Sequence, residues 1–263
     1  SVLTTWYGQG HTRPEPTLHE SDNVLYVALD GDDTATGSED APFATLAHAF
    51  NTVKAGQTIM IRAGTYYEGQ LMLANKARDG SPIVIRAYPG EEVILDGSDP
   101  ELMDAAVWQD EGDNIYSYRY EGRSVNACLV EKATGKVIRL FPVQDVAHLR
   151  ARNIPDAGTF EKLHLPGAVF TDGSTAYIAS PGPLSNYIVH IPKQNRAIVL
   201  EMRSHVQIDG LTFNFYGKDD YTTSIFVYNS SDVLIQNCNF NYDSSQIYVK
   251  GDTDRLTIQN CRF

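Results

Sequence analysis

The sequence predicts an all-β solenoid, a coil of short strands and tight turns wound about one axis. Two observations carry this. Residues 206–213 (VQIDGLTF), 233–240 (VLIQNCNF) and 256–263 (LTIQNCRF) align without a gap, at offsets of 27 and 23 residues (206 to 233, 233 to 256). A second strand recurs between them, IFVY at 225–228 against IYVK at 247–250. A strand-and-turn unit repeating at such a period marks a solenoid, because each unit buries its apolar face only against the next. At the other end, TIMIR (58–62), GQLML (69–73), PIVIRA (82–87) and EVIL (92–95) are strands punctuated by Gly, Pro or Asn. No helical pattern lies between them, which excludes a βαβ array.

The elements follow in order. Residues 1–22 are polar and irregular and read as an arm packed on the body. VLYVAL (24–29) is a strand, and the Gly-, Asp- and Ser-rich stretch 30–42 is a loop. TLAHAFNTVK (45–54) places Leu46, Ala49, Phe50 and Val53 at helical spacing, with Ala55 and Gly56 as its stop. The strands above then build the first coils, making 23–100 one unit. Residues 101–204 do not repeat. Trp108, the alternating NIYSYRY (114–120), a hairpin at 131–136 and TAYIA (175–179) suggest an inserted antiparallel β subdomain over one face of the solenoid. Residues 148–164 yield no assignment. Further coils occupy 205–263, with Ile208, Leu211, Phe213, Ile235, Cys238, Phe240, Ile258, Cys261 and Phe263 facing inward. Asn237 above Asn260 suggests an amide ladder at a corner. The repeat is cut at Phe263 with no capping element, so a longer protein or a covering partner is expected.

The net charge of −12, from 21 Lys and Arg against 33 Asp and Glu, has the wrong sign for a nucleic-acid partner. An anionic substrate would need local cations or a bound metal. No apolar run approaches the roughly 20 residues that span a bilayer. The start at Ser1, with neither Met nor an apolar leader, fits a secreted protein after signal removal or a shortened chain. Three cysteines (Cys128, Cys238, Cys261) make no disulfide framework, and Cys238 and Cys261, in matching contexts, read as small inward side chains. The histidines, His48 among them, fall singly, without the spacing of a metal site.

At this point a resemblance enters. Tyr26-Val27, the Gly- and Asp-rich loop, APFATL (41–46), AGQTI (55–59), RAGTY (62–66), PI (82–83) and DG (96–97) together resemble the N-terminal cap and first coils of the pectate-lyase-like right-handed parallel β-helix superfamily. The repeats at 205–263 are similar to later coils of that superfamily, and the interruption at 101–204 resembles that of β-helix glycoside hydrolases with an inserted β-sandwich. The resemblance implies a right-handed parallel β-helix with an N-terminal capping helix. It also implies a secreted carbohydrate-active protein, extracellular or periplasmic, acting on a polysaccharide or oligosaccharide in the groove between coils and insert. A glycoside hydrolase is the first expectation. A metal-dependent polysaccharide lyase and a non-catalytic carbohydrate-binding or surface-attachment module are the alternatives. No cofactor is expected, and calcium would enter only with lyase chemistry.

Candidate catalytic residues are Asp219, Asp220, Asp243 and Lys250. Glycosidase carboxyl pairs sit roughly 5 to 9.5 Å apart, so one of Asp219 and Asp220 with Asp243, one coil later, suits better than the adjacent pair. Asp in loops also serves plain turn chemistry. Lys250 resembles, at that residue only, the base of some calcium-dependent β-helix lyases. However, Ser245 and Gln246 stand where an acidic calcium ligand would be wanted, and an exposed strand Lys is ordinary. Tyr216, Tyr221, Tyr228, Tyr242 and Tyr248 offer flat faces for sugar stacking, with Arg255 alongside, although tyrosine is also a good strand residue.

Overall fold

A computed structural model describes residues 16–122, 126–152, 165–218 and 222–263. The repeat read from sequence is the coil. From β1 (Val24–Val27) and α1 (Leu46–Thr52) the chain runs through β2 (Thr58–Ile61), β3 (Gly64–Tyr66), β4 (Leu71–Met72), β5 (Ile83–Ala87) and β6 (Val93–Asp96). β7 (Gln109–Asp110), β8 (Ile115–Gly122), β9 (Ala127–Glu131), β10 (Val137–Pro142), α2 (Val146–Ala151), β11 (Ala168–Thr171), β12 (Gly173–Ala179) and β13 (Tyr187–His190) follow. The coil resumes with β14 (Ile198–Glu201), β15 (Val206–Asp209), β16 (Thr212–Asn214) and β17 (Ile225–Tyr228). It continues through β18 (Val233–Gln236), β19 (Asn239–Asn241), β20 (Ile247–Lys250) and β21 (Leu256–Gln259).

Three parallel sheets form the coil: a first of order β1-β2-β5-β15-β18-β21, a second of order β19-β16-β6-β3 and a third of order β20-β17-β14-β4. The chain visits them in rotation, so the protein is mostly β and its coil is a parallel β-helix. The register is the one the sequence alignment implies: Val206 pairs Val233, which pairs Leu256, and Ile225 pairs Ile247. Ile59, Ile85, Ile208 and Ile235 are fully buried inside the first sheet, while Phe213 and Phe240 stack at 5.0 Å beneath the second. Each stacked pair adds roughly 0.5–1.5 kcal/mol beyond its burial, more than an exposed ion pair contributes.

α1 is shorter than its sequence pattern. Thr45 accepts its first-turn amide from His48, and the Glu68 carboxylate accepts from Leu46 and Ala47. The helix stops at Thr52 because Val53 turns extended and its carbonyl accepts from the Asn75 amide instead. Leu46, Ala49, Phe50 and Val53 all join the coil's core.

The corner expected to carry an Asn ladder works differently. Gly210, Asn237 and Asn260 share a left-handed backbone (φ 74°, 54° and 52°), which Gly and Asn adopt with the least strain. The Asn237 amide donates to Asp209 at 2.7 Å, and the amide ladder lies one residue earlier, where Gln259 donates to Gln236 and Gln236 to Asp209.

β7 to β13 form a separate seven-stranded sheet of order β13-β9-β10-β11-β12-β8-β7, antiparallel except where β10 meets β11. The expected hairpin at 131–136 joins β9 to β10. The chain leaves the coil at Gly97 and returns at Lys193 and Gln194, whose amides both donate to the Gly97 carbonyl at 2.7 and 3.0 Å. A Cβ at Gly97 would lie 2.6 Å from the Phe215 carbonyl oxygen, so glycine is required there.

The corner predicts a substitution hierarchy. Asn237→Val should cost about 1–3 kcal/mol in urea unfolding, because a β-branched residue is strained at positive φ. Asn237→Gly, which keeps the backbone and loses only the bond to Asp209, should cost about 1 kcal/mol or less.

Candidate functional site

Period-2 alternation decides what the third sheet shows to solvent. Ile225 and Val227 point into the core, so Phe226 and Tyr228 point out, and β20 repeats the arrangement with Tyr248 and Lys250. In register across four coils stand Met72, Val199, Phe226 and Tyr248, flanked by Glu201, Tyr228 and Lys250. At roughly 4.8 Å per strand the stripe runs about 14 Å along the axis. Phe226 lies 6.2 Å from Tyr228 and 5.9 Å from Tyr248, its ring 12° and 10° from parallel to theirs. The Arg196 guanidinium sits 4.3 Å over the Phe226 ring, a cation–π contact that fixes both. Met72 and Tyr248 remain 47% and 42% exposed at the two ends of the stripe, while Val199 between them is buried and Phe226 half-buried.

A buried polar junction joins this region to the seven-stranded sheet. The Asp243 carboxyl accepts from the Tyr216 amide at 2.8 Å and the Ser224 hydroxyl at 2.6 Å. Asn126 donates to the carbonyls of both Tyr216 and Tyr242 and accepts from Arg139. Burial pushes the Asp243 carboxyl well above the ordinary range, against the pull of those two donors, and raises Asp96 likewise. His190 stacks on Phe215 at 4.0 Å, Phe215 stacks on Tyr242 at 5.2 Å, and the His190 ring bonds the Ser98 hydroxyl at 2.9 Å.

The sequence-derived residues divide accordingly. Tyr228, Tyr248 and Lys250 come together on the third sheet. Tyr242 is exposed at a left-handed corner (φ 61°) beside the junction. Tyr216 does not present a face to solvent: it is fully buried, its hydroxyl donating to the Glu68 carbonyl at 2.6 Å. Asp243 is likewise enclosed, because both its oxygens satisfy groups of a buried corner, and this fits a residue that positions the Tyr216 turn better than one that meets substrate. Arg255 lies away from the tyrosines, at the entry to β21 of the first sheet, locked two-pronged onto Asp232 at 2.7 and 2.9 Å and paired with Asp254. Asp219, Asp220 and Tyr221 lie outside the described residues. Sequence reasoning missed Phe226, although the alternation in IFVY points its ring outward. It also missed Arg196, His190 and Asn126, which sit in or beside the non-repeating stretch, where no periodicity marks them.

Comparison with known proteins gives the following. Residues 25–139 match the family model "Pel9A-like, right handed beta helix region", and residues 196–263 match "Right handed beta helix region". Pectate lyase PEL9 of Emericella nidulans is 38% identical over 88 residues, 32% of this chain and 22% of that protein. Uncharacterized protein YwoF of Bacillus subtilis is 44% identical over 77 residues, 29% of this chain and 16% of that protein. The alignments thus span less than a quarter of either curated relative. Among solved structures, XylC in complex with xylose superposes with a TM-score of 0.67 at 17% identity, over 87% of this chain and 42% of that one. A structure described as a glycoside hydrolase superposes with a TM-score of 0.57 at 14% identity, over 91% of this chain and 65% of that one. At these identities the two structures share the fold.

The junction carries a pH signature. Burial pushes the His190 ring down to about 4 from its ordinary 6.5, so it stays neutral in the fold where the unfolded chain would take up a proton. Its contribution is complete above about pH 6.5 and is lost as pH falls toward 4. The melting-temperature advantage of the wild type over a His190→Phe variant should therefore shrink steadily as the pH is lowered through that window.

Proposed function

We propose that this chain, both of whose ends carry right-handed β-helix regions, the first Pel9A-like, belongs to a secreted carbohydrate-active protein, a glycoside hydrolase, that holds a polysaccharide or oligosaccharide against its third sheet. The observation that carries the reading is the outward-facing stripe of half-buried Phe226 and Tyr228 with exposed Tyr248. Sugar rings present apolar C–H faces and polar rims, and parallel aromatic rings backed by Arg196 and flanked by Glu201 and Lys250 match both. On this reading α1 caps the open top of the coil, and the sheet of β7 to β13 is an inserted subdomain that walls one side of the substrate's path.

The hydrolase reading is supported by XylC bound to xylose and by the structure described as a glycoside hydrolase, whose alignments take in most of this chain. A second reading, a polysaccharide lyase, is favoured by the stretch shared with a pectate lyase. In that case Lys250 is the natural base, standing exposed beside Tyr228, and chelation should abolish activity if calcium carries the substrate carboxylate.

Incubation with a panel of neutral and uronate polysaccharides separates the readings. New reducing ends without ultraviolet-absorbing products support a hydrolase, unsaturated products a lyase, and binding without cleavage an attachment module. Whichever chemistry operates, Tyr248→Ala should weaken glycan binding by about 3–10-fold, the equivalent of one lost aromatic contact, with little change in stability. Unchanged affinity would contradict the placement of the substrate on the third sheet.

A further inference from the structure

Where the seven-stranded sheet meets the coil, a cleft opens, of about 290 Å³. One wall is β8, with Tyr118, Arg119, Tyr120 and Glu121, together with Asp99 and Glu101 from the short turn after Gly97. The other is Lys193, where the chain returns to the coil, and Lys218, which follows β16. Tyr118 is half-buried against Trp108, 5.7 Å away, so its ring is held in place while part of it faces the cleft. The Lys218 ammonium lies 5.1 Å over the Tyr120 ring.

The ion pairs here are looser than those of Arg255 and Arg62. Arg255 is saturated by Asp232 at 2.7 and 2.9 Å, and Arg62 by Glu91 at 2.7 Å. In the cleft, Lys193 stands 3.5 Å from Asp99 and Arg119 stands 3.6 Å from Glu121, both longer than the roughly 2.7–2.9 Å of a charge-assisted hydrogen bond. Donors and acceptors on both walls therefore retain capacity for a ligand. Among the described residues that line it, three are acidic (Asp99, Glu101, Glu121) and three basic (Arg119, Lys193, Lys218), so these sum to no net charge in a chain of net charge −12. Such a site has no net preference for an anion or a cation. What it matches is an uncharged molecule whose hydroxyls both donate and accept and which has one apolar face for Tyr118.

We propose that this cleft is a binding subsite for a neutral pyranose unit, separate from the aromatic stripe of the third sheet. The inference rests on the carbohydrate reading above and adds a second place of contact and a charge class. Lys193 and Lys218 donate to ring hydroxyls, Asp99 and Glu101 accept from them, and Tyr118 covers the apolar face.

Titration calorimetry with xylohexaose and with trigalacturonate tests it on the full chain. Tyr118→Ala and Lys193→Ala should each weaken xylohexaose binding at least fivefold and leave trigalacturonate binding unchanged, while Tyr118→Phe restores wild-type affinity. Lys193 is half-exposed, so its variant keeps the test decisive if Tyr118→Ala fails to fold. Xylohexaose binding that falls with Tyr248→Ala but survives both cleft variants overturns the subsite and leaves the proposed function standing. Xylohexaose binding that neither cleft nor stripe variants alter, or none at all, overturns the subsite. If trigalacturonate too is indifferent to Tyr248→Ala, the third-sheet reading falls with it.

Discussion

In-register stacking of one coil on the next is the constraint on which everything else here depends. Side chains alternate between core and solvent along every strand, so a slip of one residue would turn Ile208, Ile235 and Ile258 outward and bury Gln236 and Gln259. Register is enforced from both sides of the wall. Inside, Phe213 and Phe240 stack at 5.0 Å, with exposed Phe263 stacked on Phe240 at 5.3 Å; outside, Gln259, Gln236 and Asp209 bond in sequence. The left-handed corners at Gly210, Asn237 and Asn260 then aim successive strands the same way. The same constraint aligns the outward residues, so the row of Phe226 and Tyr248, with Met72 two coils earlier, is a by-product of coil packing that solvent-facing chemistry can use.

What the sequence reveals follows from that constraint. Where the structure repeats, residues that touch in space are also alike in sequence, and the pairing of Val206 with Val233 and Leu256 can be read directly. The outward alternation of IFVY and IYVK is equally plain once the strands are recognised. The seven-stranded sheet is different: its strands pair through contacts such as β8 with β12, far apart in sequence and without periodicity, so its hairpin is legible and its overall arrangement is not. The junction is less legible still. Asn126, Arg139, His190 and Asp243 meet only because the chain leaves at Gly97 and returns at Lys193, and nothing local to any of them announces the meeting. The tyrosines show the limit of counting residue types: Tyr216 and Tyr248 look equivalent in sequence, yet one is sealed in the core and the other lies open.

Burial also sorts the charges. Asp243 and Asp96 are enclosed where desolvation favours the neutral acid, and His190 is enclosed where it favours the neutral ring. Near the surfaces proposed to meet sugar stand Arg196 and Lys250 at the stripe, and Lys193 and Lys218 at the cleft. In an acidic chain their placement distinguishes these faces from the first sheet, where Arg255 is locked to Asp232.

The most direct test of the account is amide hydrogen exchange with and without a bound oligosaccharide. The account predicts added protection over β17 (Ile225–Tyr228) and β20 (Ile247–Lys250), with the outer face of the first sheet unchanged. Protection confined to the first sheet, or absent from the third at saturating ligand, would contradict it.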